Sequence, residues 1–396
     1  MTEAGAEIGA QATEKLFTDW LVAEGARFEG PPQFLEELAE RLRKVDVPLA
    51  RLTWTLTLLH PVFRGVTYEW TRGGPAREIP RRRDQMTSRV FSHSPIAQVT
   101  RTGEPLRRRL VGPDAEFDFP VLEELRDKGL TDYYVIPLDF GRGRQGGVVT
   151  YGSDDVAGFE EHQLRLFDAI TPALTLVGQV HAGRRSISSL LTTYVGDEPA
   201  QRILGGEIVQ GVGHTVRALV WWCDLRGFTP LSETLPSEEM LKLLNTYFSA
   251  AVDSVTESGG EVLKFMGDAV LAIFRCEDGD RDAATRALAA AGMLLDRLAA
   301  ANVERARAGQ PAIDCGVALH LGPVMYGNIG SPERLDFTVI GPTVNLVSRL
   351  AQLCRPLGEP IILSAEAAEA AATGVRPLGT HAFKGIAGDR EAFAPI

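Results

Sequence analysis

VRALVWWCDL, residues 216–225, is a largely apolar run rich in aromatic and β-branched residues, and it predicts a buried strand. The next segment, PSEEMLKLLNTYFSAAVDSVTESGG at residues 236–260, starts with proline, carries acids in its first turn and ends in glycine. These features predict a helix. EVLKFM at residues 261–266 and AVLAIF at residues 269–274 then alternate as two strands joined through Gly267 and Asp268.

An alanine-rich stretch from Asp282 to about Arg307 predicts a second helix, and IDCGVALHLG at residues 313–322 predicts another strand. The order is strand, helix, hairpin, helix, strand. This order predicts a ferredoxin-like split βαβ domain over residues 213–396. The sheet of such a domain can hold acidic side chains at its strand ends.

The first half of the chain has a different pattern. Helical spacing at residues 13–24 and 32–44 precedes alternating, strand-like segments. VIPLDFGRGRQGGVVTYGS at residues 135–153 predicts two strands and a turn, and an amphipathic helix closes the half near Gly183. We therefore predict an α/β (α+β) protein with a helical arm at residues 1–27, a sensor domain at 28–182 and a connector helix at 183–212. The connector carries apolar residues at helical spacing. They could pair with the same helix of a second chain or pack on their own domain.

Composition narrows the function classes. The 396 residues, 44% hydrophobic and 23% charged, are typical of a globular protein. A net charge of −11 opposes binding to nucleic acid or to an anionic membrane. The four cysteines form no CxxC pair, and the N-terminus lacks a secretion signal. We expect a cytoplasmic location, with no nucleic-acid partner and no membrane span.

Two acids stand at positions suited to metal binding. Asp224 directly follows the first strand of the second half, and Asp268 lies at the tip of the next hairpin. Magnesium takes carboxylate oxygens and commonly only one or two from a protein. Taken alone, the same acids could simply occupy turns.

Three ordered blocks decide between these interpretations: CDLRGFTPLSE at residues 223–233, EVLKFMGD at 261–268 and FTVIGPTVNLVSRL at 337–350. Together they resemble the catalytic domain of class III adenylate and guanylate cyclases. The resemblance implies that Asp224, Asp268 and the backbone of Leu225 hold two Mg²⁺ (or Mn²⁺) ions on a nucleoside triphosphate. It also implies that Phe228 and Thr229 lie at the phosphates.

The resemblance also assigns the base-selecting positions to Lys264 and Thr338. A lysine ammonium donates to adenine N1, whereas guanine carries a proton there, so ATP is the expected substrate. The pair resembles the threonine-bearing bacterial adenylate cyclase group, and threonine is a weaker selector than aspartate. Guanylate cyclase activity therefore stays open as an alternative.

The catalytic residues implied by the family are Asn345 and Arg349. Four residues apart, they share one face of a predicted helix. The resemblance implies that Asn345 orients the ribose and that Arg349 neutralises the pentavalent phosphorus. Lys384 and Arg334 match positions that reach the terminal phosphates, although either could be ordinary surface charge.

In this family each site is built from two protomers. One protomer supplies the metal-binding acids, and the other supplies the base-selecting residues, the asparagine and the arginine. The chain carries one copy of each set, which implies a homodimer with two symmetric sites.

Residues 28–182 resemble a GAF domain through VIPLDFGRGRQGGVVTYGS and FEEHQLRLFDAITPALTLV; a PAS-like or unrelated α/β sensor is the alternative. The expected function is a sensor-regulated adenylate cyclase whose sensor binds an unidentified small molecule. The rival is an inactive, nucleotide-binding regulator.

Overall fold

The computed structural model describes residues 3–84, 89–141 and 145–396. The chain divides into two compact units, Met1–Leu190 and Leu191–Ile396. Three residues of the predicted Gly/Arg-rich turn, 142–144, lie outside the described residues. Each unit is described by itself.

The first unit contains a sheet with helices before, within and after it. Its elements are α1 (Glu3–Glu24), α2 (Pro31–Lys44), β1 (Leu49–Thr57), β2 (Phe63–Thr71), β3 (Arg77–Arg82), α3 (Arg89–Ser92), α4 (Pro95–Thr102), β4 (Leu106–Arg109), α5 (Pro120–Asp127), β5 (Asp132–Asp139), β6 (Gln145–Ser153) and most of α6 (Glu161–Val195).

The six strands form one sheet in the order β3-β2-β1-β6-β5-β4, with every neighbouring pair antiparallel. One face packs against α1, α2 and α6 around Phe34, Trp54 and Phe167. Tyr151 stacks on Phe167 with ring centroids 3.9 Å apart. The opposite face packs against α4 and α5. Because successive side chains of a strand point to opposite faces of the sheet, the strands contribute to two separate apolar clusters.

Helix α6 is longer than the sequence pattern indicates. The predicted end lies near Gly183, but the helix continues to Val195. A single interior glycine costs only about 1 kcal/mol relative to alanine, which does not end a helix when good helix formers follow it. The segment at 183–212 thus contains the end of α6, then α7 (Asp197–Leu204) and a non-helical stretch. No helix in the described ranges combines the length and apolar content needed to cross a bilayer.

The second unit begins with the last turn of α6 and contains α7 and a larger sheet. Its further elements are β7 (Gly213–Leu225), α8 (Phe228–Thr234), α9 (Ser237–Glu257), β8 (Glu261–Met266), β9 (Ala269–Arg275), α10 (Asp280–Arg307), β10 (Cys315–Ser331), β11 (Arg334–Ile340), α11 (Pro342–Ala351), α12 (Cys354–Leu357), β12 (Ile361–Ser364), α13 (Ala365–Ala370), β13 (Val375–His381) and β14 (Arg390–Pro395).

Four strands of this unit form the predicted core of the fold. They lie in the order β10-β7-β9-β8, and all three pairings are antiparallel. Since α9 and α10 connect them, this is the ferredoxin-like split βαβ arrangement, and the expected fold class is confirmed. Helices α9 and α10 cover one face, and α11 covers the other. Strand β10 extends into a hairpin with β11, and β12 to β14 widen the sheet.

Candidate active site

The first feature of the site is a pair of carboxyl groups at strand ends. Asp224 is the penultimate residue of β7, opposite Gly316 of β10, and Asp268 lies in the turn between β8 and β9. Burial and the nearby charge of Asp268 raise the pKa of Asp224 to about 6. The Leu225 N–H donates to Asp224 and opposes that shift. The fold therefore brings the two predicted acids together and leaves their negative charge poorly solvated.

This pair fits a hard divalent cation. Among the residues that the structure describes, no group of three or more His, Cys, Asp or Glu side chains could hold a metal. Magnesium needs no such cage, because phosphate oxygens and water commonly fill most of its coordination positions. A bound cation would also relieve the unfavourable burial of the Asp224 carboxylate. The donor set thus suits a metal that arrives with a phosphorylated ligand.

The backbone turns sharply after the acid. The side chain of Leu225 is buried, and Gly227 adopts a left-handed conformation with φ of 73°, which a residue with a side chain rarely takes. Phe228 begins α8 and packs its ring against the apolar cluster beneath α9, whereas Thr229 is exposed. Phe228 thus anchors the start of α8, and Thr229 is the exposed member of the predicted phosphate-contacting pair.

Lys264 and Thr338 come from β8 and β11, two strands that an ion pair joins. The ammonium of Lys264 on β8 lies 2.5 Å from the Oδ2 atom of Asp336 on β11. Thr338 lies two residues further along β11, so its side chain and that of Asp336 project to the same face of the strand. The Thr338 hydroxyl is buried, with no hydrogen-bond partner in the described chain. A buried hydroxyl without a partner is costly and often marks a ligand-binding position.

Helix α11 presents Asn345 and Arg349 side by side on its exposed face. Pro342 occupies its first turn, where a missing N–H costs nothing. The Thr343 hydroxyl donates to the Pro323 carbonyl at 2.6 Å and fixes the helix start on β10. Within the described residues, neither the Asn345 nor the Arg349 side chain has a hydrogen-bond or ion-pair partner. Both side chains are therefore available to a ligand.

The remaining predicted phosphate-binding residues lie on the periphery. Arg334 is exposed at the start of β11, opposite Ser331 in the hairpin, and Lys384 is exposed in the turn between β13 and β14. Neither has a hydrogen bond or ion pair to the other predicted site residues in the described part of the chain. Their roles stay predictions.

The sequence analysis did not select two residues of this region, Asp336 and Arg226. Asp336 could have been found from strand periodicity, because it lies two residues before Thr338 and therefore on the same face. Arg226 separates Asp224 from Gly227, and its charge in a largely apolar segment was the available signal.

Comparison with known proteins shows what most of the second unit is similar to. Residues 214–376 match the family described as the adenylate and guanylate cyclase catalytic domain. This part of the chain is similar to the catalytic domains of that family. The match covers β7 through the start of β13, so it includes both acids, the Lys264–Asp336 pair and the exposed face of α11.

Curated proteins are similar to this chain over part of their length. An adenylate cyclase from Anabaena cylindrica is 35% identical over 158 residues, covering 39% of this chain and 30% of the relative. An uncharacterised protein of Mycobacterium tuberculosis is 33% identical over 201 residues, covering 50% of this chain and 36% of the relative. The chain thus spans about a third of the length of these curated relatives.

Among solved structures, a bacterial light-regulated adenylyl cyclase is 26% identical, with a TM-score of 0.47. The superposition covers 57% of this chain and 64% of that chain.

Proposed function

We propose that the protein is a sensor-regulated adenylate cyclase that converts ATP to 3′,5′-cyclic AMP and pyrophosphate at a site shared by two copies of the chain. The observation that carries the proposal is the pair of partly buried carboxyls, Asp224 and Asp268, within a cyclase catalytic domain. Two carboxyls held close together and partly buried are unfavourable unless a cation compensates their charge, and a phosphorylated ligand would bring that cation.

Asp224 and Asp268 would hold two Mg²⁺ or Mn²⁺ ions, with the Leu225 carbonyl as a further ligand. When bound, these ions supply charge neutralisation at the triphosphate and activate the ribose 3′-hydroxyl. The chain's own task is to present two deprotonated carboxylates. Partial burial of Asp224 raises its pKa and opposes this task, and a bound cation would favour the deprotonated carboxylate again.

Recognition of adenine would be the task of the polar side chains on β8 and β11. The adenine edge offers an acceptor at N1 and a donor at the exocyclic amine. Lys264 can donate to the first, while the Asp336 carboxylate holds that ammonium in place and has acceptor capacity for the second. The unpartnered Thr338 hydroxyl completes the polar set. A guanine edge presents a proton at N1 and a carbonyl at C6, which this arrangement disfavours.

Asn345 and Arg349 would act on the reacting part of the substrate. The Asn345 amide can orient the ribose through its donor and acceptor atoms. The Arg349 guanidinium can place several N–H donors against the charge that develops on the α-phosphorus. Their exposure and their lack of partners among the described residues support this assignment. Arg334 and Lys384 remain candidates for the terminal phosphates.

A homodimer would complete the site, since each chain carries one copy of each residue set. Exposed apolar side chains of the cyclase domain favour burial against a second copy; they include Phe265, Met325, Leu335 and Ile340.

The first unit would act as a GAF-like sensor. One sheet face carries a cavity of about 670 Å³ whose lining includes Thr55, Thr57 and Pro137. A cavity of this size suits a small-molecule ligand.

A direct assay tests the proposal. Purified protein is given ATP or GTP with Mg²⁺ or Mn²⁺, and the cyclic nucleotide and pyrophosphate are measured. Cyclic AMP as the main product supports it. A preference for GTP would make the protein a guanylate cyclase. If neither nucleotide gives a product, the alternative of an inactive, nucleotide-binding regulator is favoured.

The shared site is tested by complementation. Asp268→Ala and Arg349→Ala chains should each be inactive, and their mixture should regain activity because one heterodimer site is intact. Failure of the mixture to recover contradicts a site built from two chains.

A further inference from the structure

Arg226 lies in the chain between the acid Asp224 and Gly227, where the backbone turns into α8. Its N–H donates to the Asp314 carbonyl at 2.8 Å, which extends the pairing of β7 and β10 by one residue. The guanidinium also contacts the Asp314 carboxylate, with Nη1 at 3.2 Å from Oδ2. Arg226 is therefore fixed to the start of β10 through both its backbone and its side chain.

The other end of the guanidinium reaches a helix terminus. Nη2 donates to the Glu359 carbonyl at 2.7 Å and to the Cys354 carbonyl at 3.1 Å. These carbonyls belong to α12 and to the residue after its C-terminal glycine, Gly358. The Cys354 carbonyl also accepts from the Glu359 N–H at 3.0 Å, so the guanidinium is a second donor to the turn that closes this short helix. Arg226 thus connects the turn after Asp224 to the segment that follows α11.

The sheet leaves room for this connection at Gly316. This glycine pairs with Asp224 across the strands. A Cβ atom there would lie 2.6 Å from the Cβ of Cys354 and 3.9 Å from the Nε of Arg226. The absent side chain lets α12 pack directly over the strand beside Asp224, whereas the arginine would meet such a Cβ only at an ordinary van der Waals distance.

The backbone that Arg226 holds has few other restraints. Gly227 carries no side chain, and Thr229 is exposed. The Leu231 N–H donates to the Gly227 carbonyl at 3.1 Å, and the Phe228 ring packs against the apolar cluster. Helix α11, in contrast, is fixed by its own apolar face through Leu346, Val347 and Leu350. Loss of Arg226 should therefore move the metal side of the site more than the helix.

We propose that Arg226 is a positioning residue that fixes the backbone between Asp224 and Thr229 for binding of the metal–nucleotide complex. The proposal rests on the proposed function. Lysine could not replace it, because one ammonium cannot span the Asp314 carboxylate and two carbonyls in the way that a planar guanidinium does.

Binding of Mn²⁺ tests this role without turnover. Free Mn²⁺ is measured by electron paramagnetic resonance while the full-length protein is titrated in the presence of α,β-methylene-ATP. We expect Arg226→Ala and Arg226→Lys to weaken Mn²⁺ binding about tenfold or more, a loss typical of residues that orient metal ligands. Arg217→Ala is the matched control, because Arg217 lies on the same strand and pairs only with exposed Asp280 among the described residues.

The outcomes distinguish failure of the proposed function from failure of the positioning role. If the wild type binds no Mn²⁺ with the analogue, the proposed function fails. If the wild type binds and both Arg226 variants bind equally well, the positioning role is overturned. The lysine variant keeps the test decisive if the alanine variant does not fold.

Heterodimers then locate the effect. In the mixture of Asp268→Ala and Arg349→Ala chains, the working site takes its acids from the Arg349→Ala chain. Adding Arg226→Ala to that chain should lower activity about tenfold, whereas adding it to the Asp268→Ala chain should change activity less than twofold. Equal loss from both placements would show a general structural role and overturn the proposal.

Discussion

The Lys264 ammonium and the Asp336 carboxylate form an ion pair, 2.5 Å between Nζ and Oδ2, that joins the edge strand β8 to β11. Both side chains are partly exposed, so the pair adds little to stability. Its position beside Thr338 instead favours a role in selecting the base. The carboxylate holds the ammonium at a defined place and remains an acceptor.

Replacement of Asp336 should therefore alter substrate choice. We expect Asp336→Asn to lower the ratio of kcat/KM for ATP to that for GTP about tenfold, the value of one hydrogen bond to a charged group. An amide can donate to the guanine carbonyl, which a carboxylate cannot. The measurement compares both nucleotides with the variant and with Glu333→Gln, which removes a carboxylate from the same hairpin. An unchanged ratio in Asp336→Asn would exclude the carboxylate from base selection.

Thr338→Val should separate stability from specificity. The Thr338 hydroxyl is buried and has no hydrogen-bond partner in the part of the chain that the structure describes, so the nearly isosteric valine removes an unfavourable group. We expect the free energy of unfolding to rise by about 1 kcal/mol, while preference for ATP over GTP falls. Chemical denaturation and the two-substrate assay measure the two effects. A less stable variant would mean that the hydroxyl has a structural partner in solution.

Much of this site could be predicted because its chemistry is local in sequence. Asp224 follows an apolar strand and Asp268 lies in a two-residue turn, so periodicity alone places both at strand ends. Asn345 and Arg349 are one helical turn apart, and their shared face follows from helix geometry. The split βαβ order likewise follows from consecutive elements.

Contacts between distant segments could not be predicted in this way. Arg226 meets carbonyls more than a hundred residues away, and no periodic pattern encodes that pairing. The connection of α7 to β8 and β9 through Glu198 and Arg275 is equally non-local. Helix α6 continues past Gly183 because the cost of one interior glycine, about 1 kcal/mol, is small. Local helix propensity does not resolve a difference of this size.

Gly316→Ala should destabilise the second unit. Its new Cβ would lie 2.6 Å from the Cβ of Cys354, an atom next to the backbone that cannot move freely. We expect a loss of about 1–3 kcal/mol, as for other overpacked interiors. Gly292→Ala is the control, because that helical position has nothing within 4 Å and should be neutral or more stable. Urea denaturation of both variants checks the difference in sign.

The pH dependence of stability should depend on Glu261. Burial raises the pKa of Glu261 to about 7, nearby Glu198 adds to this shift, and the Tyr326 hydroxyl and Arg275 oppose it. The folded protein therefore binds a proton that the unfolded chain releases at lower pH. The stabilisation from this group is complete below about pH 4.5 and is lost as the pH rises through 7.

Glu261→Gln imitates the protonated side chain and should remove that loss. Between pH 6 and pH 8 we expect the free energy of unfolding of the variant to fall about 1 kcal/mol less than that of the wild type. Glu304→Gln, on the exposed face of α10, should follow the wild type. Urea denaturation at the two pH values measures the difference. If Glu261→Gln loses as much stability as the wild type over this interval, the proton is not held by Glu261, and the buried cluster with Arg275 and Tyr326 keeps its carboxylate charged.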